Sequence, residues 1–258
     1  MLYAFFDETG THSKSRITAI AGFVGSKTQW DDIEDKWHAV LSDFVDKGVC
    51  TFHMTDCAAQ TGEFAGIDTP SRNYIITQLS KALGNVGVQA ISSAVVIEDW
   101  SIAVTDPVFL ARFPRPFDLC FDDLIRQLWE WATKYADGEI IAPMFAHQPE
   151  YHKRMVNAGA AYGAEKWYQK IFDPIAFGCP VQVVPLQSAD LISHQIGWSI
   201  EHRRFGQISI ANSGQTIALE NAINGRFMHG HWFDADGLAR TIKCFRETGE
   251  ICPLESLG

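Results

Sequence analysis

The chain has 258 residues, 47% of them hydrophobic and 20% charged, a balance that suits one large or two small globular units with a substantial core. Its formal net charge of −10 excludes a broad basic surface for holding nucleic acid, because that mode relies on many Lys and Arg contacts to phosphate. No apolar run reaches the ~20 residues needed to span a bilayer, and MLYAFFDETG lacks the basic start and cleavage site of a signal peptide, so no membrane partner and a cytoplasmic location are expected.

Leu2 to Phe6 is uninterruptedly apolar and gives way to Asp7-Glu8-Thr9-Gly10, which predicts a strand buried on both faces and ending in a turn. Ile17 to Val24 predicts an antiparallel neighbour. Trp30, Ile33, Trp37, Val40, Leu41 and Phe44 recur at helical spacing, which predicts a helix from about Thr28 to Asp46. A short apolar piece, Val49 to Phe52, precedes the polar stretch His53 to Thr69, expected to be a surface loop. Thr69-Pro70 then offers a cap and first-turn proline for a helix through Leu83, stopped at Gly84.

Val86 to Ile97 is rich in β-branched residues and predicts a strand. Phe117, Phe121, Leu124, Ile125, Leu128, Ala132 and Tyr135 mark one face of a long helix. Glu139 to Phe145 is a further strand, which Pro143 should weaken or place near an edge or bulge. A helix from about Pro149 to Ala160 follows, then short extended pieces over Ile171 to Val184. Leu186 to Arg203 is helical by pattern, with Ile192, Ile196 and Ile200 on one face. Further helices are expected near Thr216 to Ile223 and Asp236 to Arg246. The simplest organisation is a single α/β domain over residues 1–258, with a core over about 1–204 and a helical C-terminal elaboration over 205–258.

Several chemistries lack support. Cys50, Cys57, Cys120, Cys179, Cys244 and Cys252 form no C-x-x-C pair and are expected to be mostly reduced, buried small hydrophobes. Gly25-Ser26-Lys27-Thr28 suggests a phosphate loop, but Ile20 stands where its spaced glycine should be. Ser188 and Ser193 have no G-x-S-x-G elbow around them. His229 and His231 in MHGHWF find no Cys or carboxylate at matching spacing, so a surface loop is expected there rather than a zinc site. Trp30 and Trp37 belong to the apolar stripe of a helix, so core packing explains them better than nucleobase stacking.

Two places remain. Asp7-Glu8 lies where a buried strand meets a loop; an Asp there either caps the Thr9-Gly10 turn or is a carboxylate held in an apolar setting, which requires a cation or hydrogen-bond donors. In LQSADLISHQIGWSIEHR, Gln187, Asp190 and His194 fall at i, i+3 and i+7, on one helix face roughly opposite the isoleucines. Such a face either turns to water or, together with Asp7, builds a site.

FFDETG at the start and LQSADLI late in the chain, with Phe52-His53 and MFAHQPEYHKR between them, resemble the domain-of-unknown-function family 3800, and the resemblance runs from about Leu2 to Arg204. It implies a ribonuclease H-like fold: a mixed sheet flanked by helices that gathers carboxylates from the first strand, a later strand and a late helix. It also implies two divalent ions, roughly 4 Å apart, activating a water and stabilising the departing oxygen of a phosphodiester. Hard oxygen ligands favour Mg²⁺ or Mn²⁺. By this resemblance Asp7 would bridge the ions, Asp190 would ligate from the helix, and Glu8 and Gln187 would be ligands or supports. His53 would reach the same site as a proton shuttle or phosphate contact, or is incidental to it.

The chain departs from the family at Ala146, where an acidic residue usually follows the strand's Phe. His147 next door is a possible substitute, though imidazole is a poorer partner for Mg²⁺. Two functions are therefore expected in contention. One is a metal-dependent nuclease acting on RNA or DNA, possibly inactivated at residue 146, with basic groups such as Arg112, Arg115, Lys153, Arg154, Arg203 and Arg204 offsetting the acidic charge locally; the other is a catalytically silent module of the same fold that binds nucleic acid or protein.

Overall fold

The computed structural model describes residues 1–10, 14–206 and 228–251. The helix expected at Thr216 to Ile223 lies outside the described residues. The chain forms an α/β structure around a six-stranded mixed sheet with helices on both faces.

The strands are β1 (Leu2–Thr9), β2 (Ile17–Ser26), β3 (Gln89–Val96), β4 (Ile141–Ala146), β5 (Ala176–Gly178) and β6 (Met228–Phe233), in spatial order β5-β4-β1-β2-β3-β6. β1, β2 and β3 form an antiparallel meander, whereas β4 runs parallel to β1, β5 to β4 and β6 to β3. The apolar run of β1 is explained by this position: it is central, with β4 on one side and β2 on the other. Leu2, Ala4 and Phe6 face one hydrophobic layer, and Phe5 faces the other.

The second layer is covered by α1 (Lys27–Ser42), the short α2 (Met54–Ala59), α3 (Thr69–Val86) and a long helix described below. Ser26 and Gln29 form a capping box at the start of α1, and Trp30, Ile33, Trp37 and Leu41 are its buried stripe. The would-be phosphate loop is thus a helix cap. α3 runs through Gly84 and ends at Gly87 in a left-handed conformation, one turn beyond the expected stop.

The first layer is covered by α4 (Ile97–Ala103), α5 (Pro107–Arg112), α6 (Pro116–Tyr135), α7 (Pro149–Gly163), α8 (Lys166–Gln169) and, at the C-terminal end, a helix over Ala235–Thr248. Between α8 and that last helix comes α9 (Val184–Phe205), which crosses β1 and β2 on the opposite face; Ala235–Thr248 is accordingly α10.

Three expectations are corrected, and the one for Pro143 is met locally. The stretch 53–69 is a cap rather than a surface loop, because Met54, Cys57, Phe64 and Ile67 anchor it in the second layer. MHGHWF is strand β6, paired with β3, and not a loop. α9 is not amphipathic: Gln187, Ser188, Asp190 and Ser193 are as buried as Leu191 and Ile192. Pro143 sits in an internal strand. Its outer neighbour bonds Ile141 through Ile171 and Asp173 and pairs again only at Met144–Ala146, so the proline falls in the gap between, where no donor is needed.

Among the described cysteines, Cys57 and Cys120 are buried thiols, Cys50 and Cys179 are exposed ones, and Cys244 is disulfide-bonded. Among the described residues, no helix is long and apolar enough to cross a membrane.

Candidate functional site

β1 and β4 are parallel, so their C-terminal ends share one edge of the sheet, the place where open α/β sheets present ligand sites. Asp7 and Glu8 end β1 there, and Ala146 ends β4. Phe6 pairs with Phe145, which sets Ala146 beside Asp7 by register. Asp7 follows Phe5 by two residues and shares its face, and Ala146 belongs to the same layer. α9 lies over that face and carries Asp190.

Close approach of α9 depends on Gly197: a Cβ there would lie 2.8 Å from Thr9 Cγ2, next to the carboxylate pair. Asp190 is 7% exposed, and its Oδ2 accepts a 2.6 Å hydrogen bond from the backbone N–H of Met54. Gln187, one turn earlier, is fully engaged. Its Oε1 accepts from Trp37 Nε1 at 2.9 Å and from Phe52 N at 3.0 Å, and its Nε2 donates to the Pro180 carbonyl at 2.9 Å. Gln187 therefore holds the 52–54 segment against α9 and α1, and supports the site through Met54 rather than facing it.

All three acids are held toward their protonated forms. Burial is the main cause at Asp7, reinforced by the charges of Glu8 and Asp190, and it pushes Asp7 well above the usual carboxylate range. Asp7 keeps a solvent-facing edge although protein surrounds it densely. Burial likewise pushes Glu8 up to about 7. Among the described residues, neither Glu8 carboxyl oxygen meets a well-aligned donor; Asp7 and Gln148 are near enough only to ease its ionisation in part. Burial pushes Asp190 up to about 6, against the opposing effects of the Met54 N–H and of His53.

His53 lies within electrostatic reach of Asp190 and of His194, and it is exposed. His194, on α9, is pushed below the ordinary imidazole value mainly by burial, and its Nδ1 has no partner among the described residues. His147 is exposed, with its ring 4.8 Å from that of His152 on α7. Three of the basic residues singled out from the sequence are paired: Arg112 with Asp122, Arg154 with Asp118 and Arg204 with Asp99.

The structure thus brings together Asp7, Glu8, Asp190, His53 and His194, with Ala146 beside them. Among the described residues, no three His, Cys, Asp or Glu side chains already enclose a metal-ion position, so the acids form a loose set rather than a closed coordination sphere. Sequence reasoning missed the Met54 N–H, for which no side-chain pattern exists, and Asp56, whose Oδ2 lies 2.9 Å from His53 Nδ1. The i,i+3 spacing of His53 and Asp56 was the available signal for the second.

Comparison with protein-family models, with curated proteins and with solved structures found no match.

Proposed function

We propose that this chain is a metal-dependent phosphodiesterase of ribonuclease H-like architecture that acts on RNA or DNA, with Asp7, Glu8 and Asp190 as its ligands for Mg²⁺ or Mn²⁺. The observation that carries the reading is Glu8: both its oxygens are buried and lack well-aligned donors, beside two further acids raised by burial. A carboxyl so placed is costly to ionise unless a cation joins it. The donor set is all oxygen, which suits a hard divalent ion. The first strand and the late helix supply acids to this edge, whereas the later strand supplies Ala146, where the family resemblance implies another acid.

Bound divalent ions would neutralise the acids, acidify a bound water and stabilise the departing oxygen of a phosphodiester. The chain's own residues set the stage for this. Met54 N–H fixes the Asp190 carboxylate on a helix buried along most of its first half. Asp7 and Glu8 are fixed on the central strand by pairing with Ala21 and Ile20 of β2. His53, at the exposed rim, can exchange protons with solvent.

Ala146 favours a second reading. Its methyl group, 5% exposed, offers no ligand where the edge would otherwise carry another acid. A protein that retained the fold and bound nucleic acid without cutting it would look the same. Cleavage of mixed RNA and DNA oligonucleotides in Mn²⁺ separates the two. The phosphodiesterase reading expects cutting that rises in Ala146→Asp and disappears in Asp7→Asn. Metal-dependent binding with no cutting by either parent or Ala146→Asp would establish the silent module instead.

A further inference from the structure

We propose that Asp56 is a positioning residue that fixes the neutral tautomer of His53 with its proton on Nδ1, so that Nε2 is the atom that takes up and releases a proton at the rim of the carboxylate site. This deepens the phosphodiesterase reading and rests on it. His53 Nδ1 and Asp56 Oδ2 are 2.9 Å apart, which assigns Nδ1 as the donor and leaves Nε2, across the ring, to the surroundings.

Asp56 is itself held from several sides. Thr61 Oγ1 donates to its Oδ1 at 2.8 Å, and the Thr61 N–H donates to its backbone carbonyl at 3.0 Å. Gly62 sits with φ +52°, and a Cβ there would be 2.7 Å from Asp56 Oδ2, so the chain wraps the carboxylate as closely as glycine permits. The bonds to His53 and Thr61 hold Asp56 below the usual carboxylate range, as the anion that an imidazole N–H prefers. A bland helix cap does not explain the pair: His53 occupies the cap position of α2, but its side chain caps no backbone N–H.

Met54, the next residue, is bonded to Asp190, which sets the imidazole beside the acids without tying it to them. In phosphodiester hydrolysis a water oxygen bonds to phosphorus and the bond from phosphorus to the leaving oxygen breaks. His53 enters the step as the imidazolium, protonated on both ring nitrogens: the leaving oxygen takes the Nε2 proton and leaves neutral His53 with its proton on Nδ1 toward Asp56, the water's proton passes to solvent, and solvent returns a proton to Nε2.

Two readouts test this. Long-range ¹⁵N–¹H NMR of the metal-free protein should show neutral His53 protonated on Nδ1 in the parent and in Asp56→Asn, which keeps an acceptor, but shifted toward Nε2 in Asp56→Ala. An Nε2-protonated His53 in the parent, or no change in Asp56→Ala, overturns the proposal. In the Ala146→Asp background, Asp56→Ala should lower kcat at least about tenfold with KM unchanged, and adding His53→Ala should cost nothing more. Unchanged kcat also overturns it. If no variant cleaves while Asp56 still sets the tautomer, the positioning stands and the phosphodiesterase reading fails.

Discussion

The carboxylate of Asp190 and the backbone N–H of Met54 meet at 2.6 Å, joining the buried helix α9 to the segment that carries His53. This bond is the hinge of the site, since it settles both where Asp190 stands and where His53 can reach. Gln187 makes it possible by receiving Phe52 N–H two residues earlier.

Gln187 should therefore be a stability residue. Gln187→Ala leaves the buried Trp37 and Phe52 N–H groups without their acceptor, at a cost of about 2–4 kcal/mol. Urea unfolding should show the loss, and amide exchange should rise at Phe52 and Met54 before it rises in β1. Unchanged protection at those two amides would contradict the role given to Gln187.

Gly197 is required for close packing of α9. Gly197→Ala places a methyl 2.8 Å from Thr9 Cγ2 and should destabilise the protein by about 1–3 kcal/mol. Thr9→Ser removes that methyl and should recover most of the loss in the double variant. An additive result would show that another contact is responsible.

The raised acids give the metal-free protein a defined pH dependence. Asp190 at about 6 and Glu8 at about 7 bind protons in the folded state that an unfolded chain has released. Stability from this source is complete below the unfolded values near 4 and is lost as pH rises through 6 and 7. The melting temperature should fall between pH 5 and pH 8, and Glu8→Gln should flatten part of that slope. A melting temperature that rises over the same interval would contradict the burial assigned to Glu8 and Asp190.

Much of the fold was legible because burial writes itself into β1 and α1 directly. The apolar run Leu2 to Phe6 reports a strand covered on both faces, and the Trp30, Ile33, Trp37 stripe reports a helix covered on one. Asp7 and Asp190 were legible as polar residues in apolar company. α9 misled because Gln187 and Asp190 on its polar face are satisfied internally, by Trp37, Phe52 and Met54, and tertiary partners of that kind leave no periodic signal. The 53–69 segment misled for a different reason: its buried anchors Met54, Cys57, Phe64 and Ile67 keep helical spacing, but Gly62, Gly66 and the polar residues between them read as a loop. Pro143 signals a weakened strand or a nearby edge or bulge, and an edge exists locally, in the gap before β5.

The most direct test is a Mn²⁺ titration followed by thermal melting at pH 8, where the acids are most readily ionised. Ligation by Asp7, Glu8 and Asp190 predicts a melting temperature that rises with millimolar Mn²⁺, rises further in Ala146→Asp, and is insensitive to the ion in Asp7→Asn. No shift in the parent or in Ala146→Asp would contradict the metal site itself.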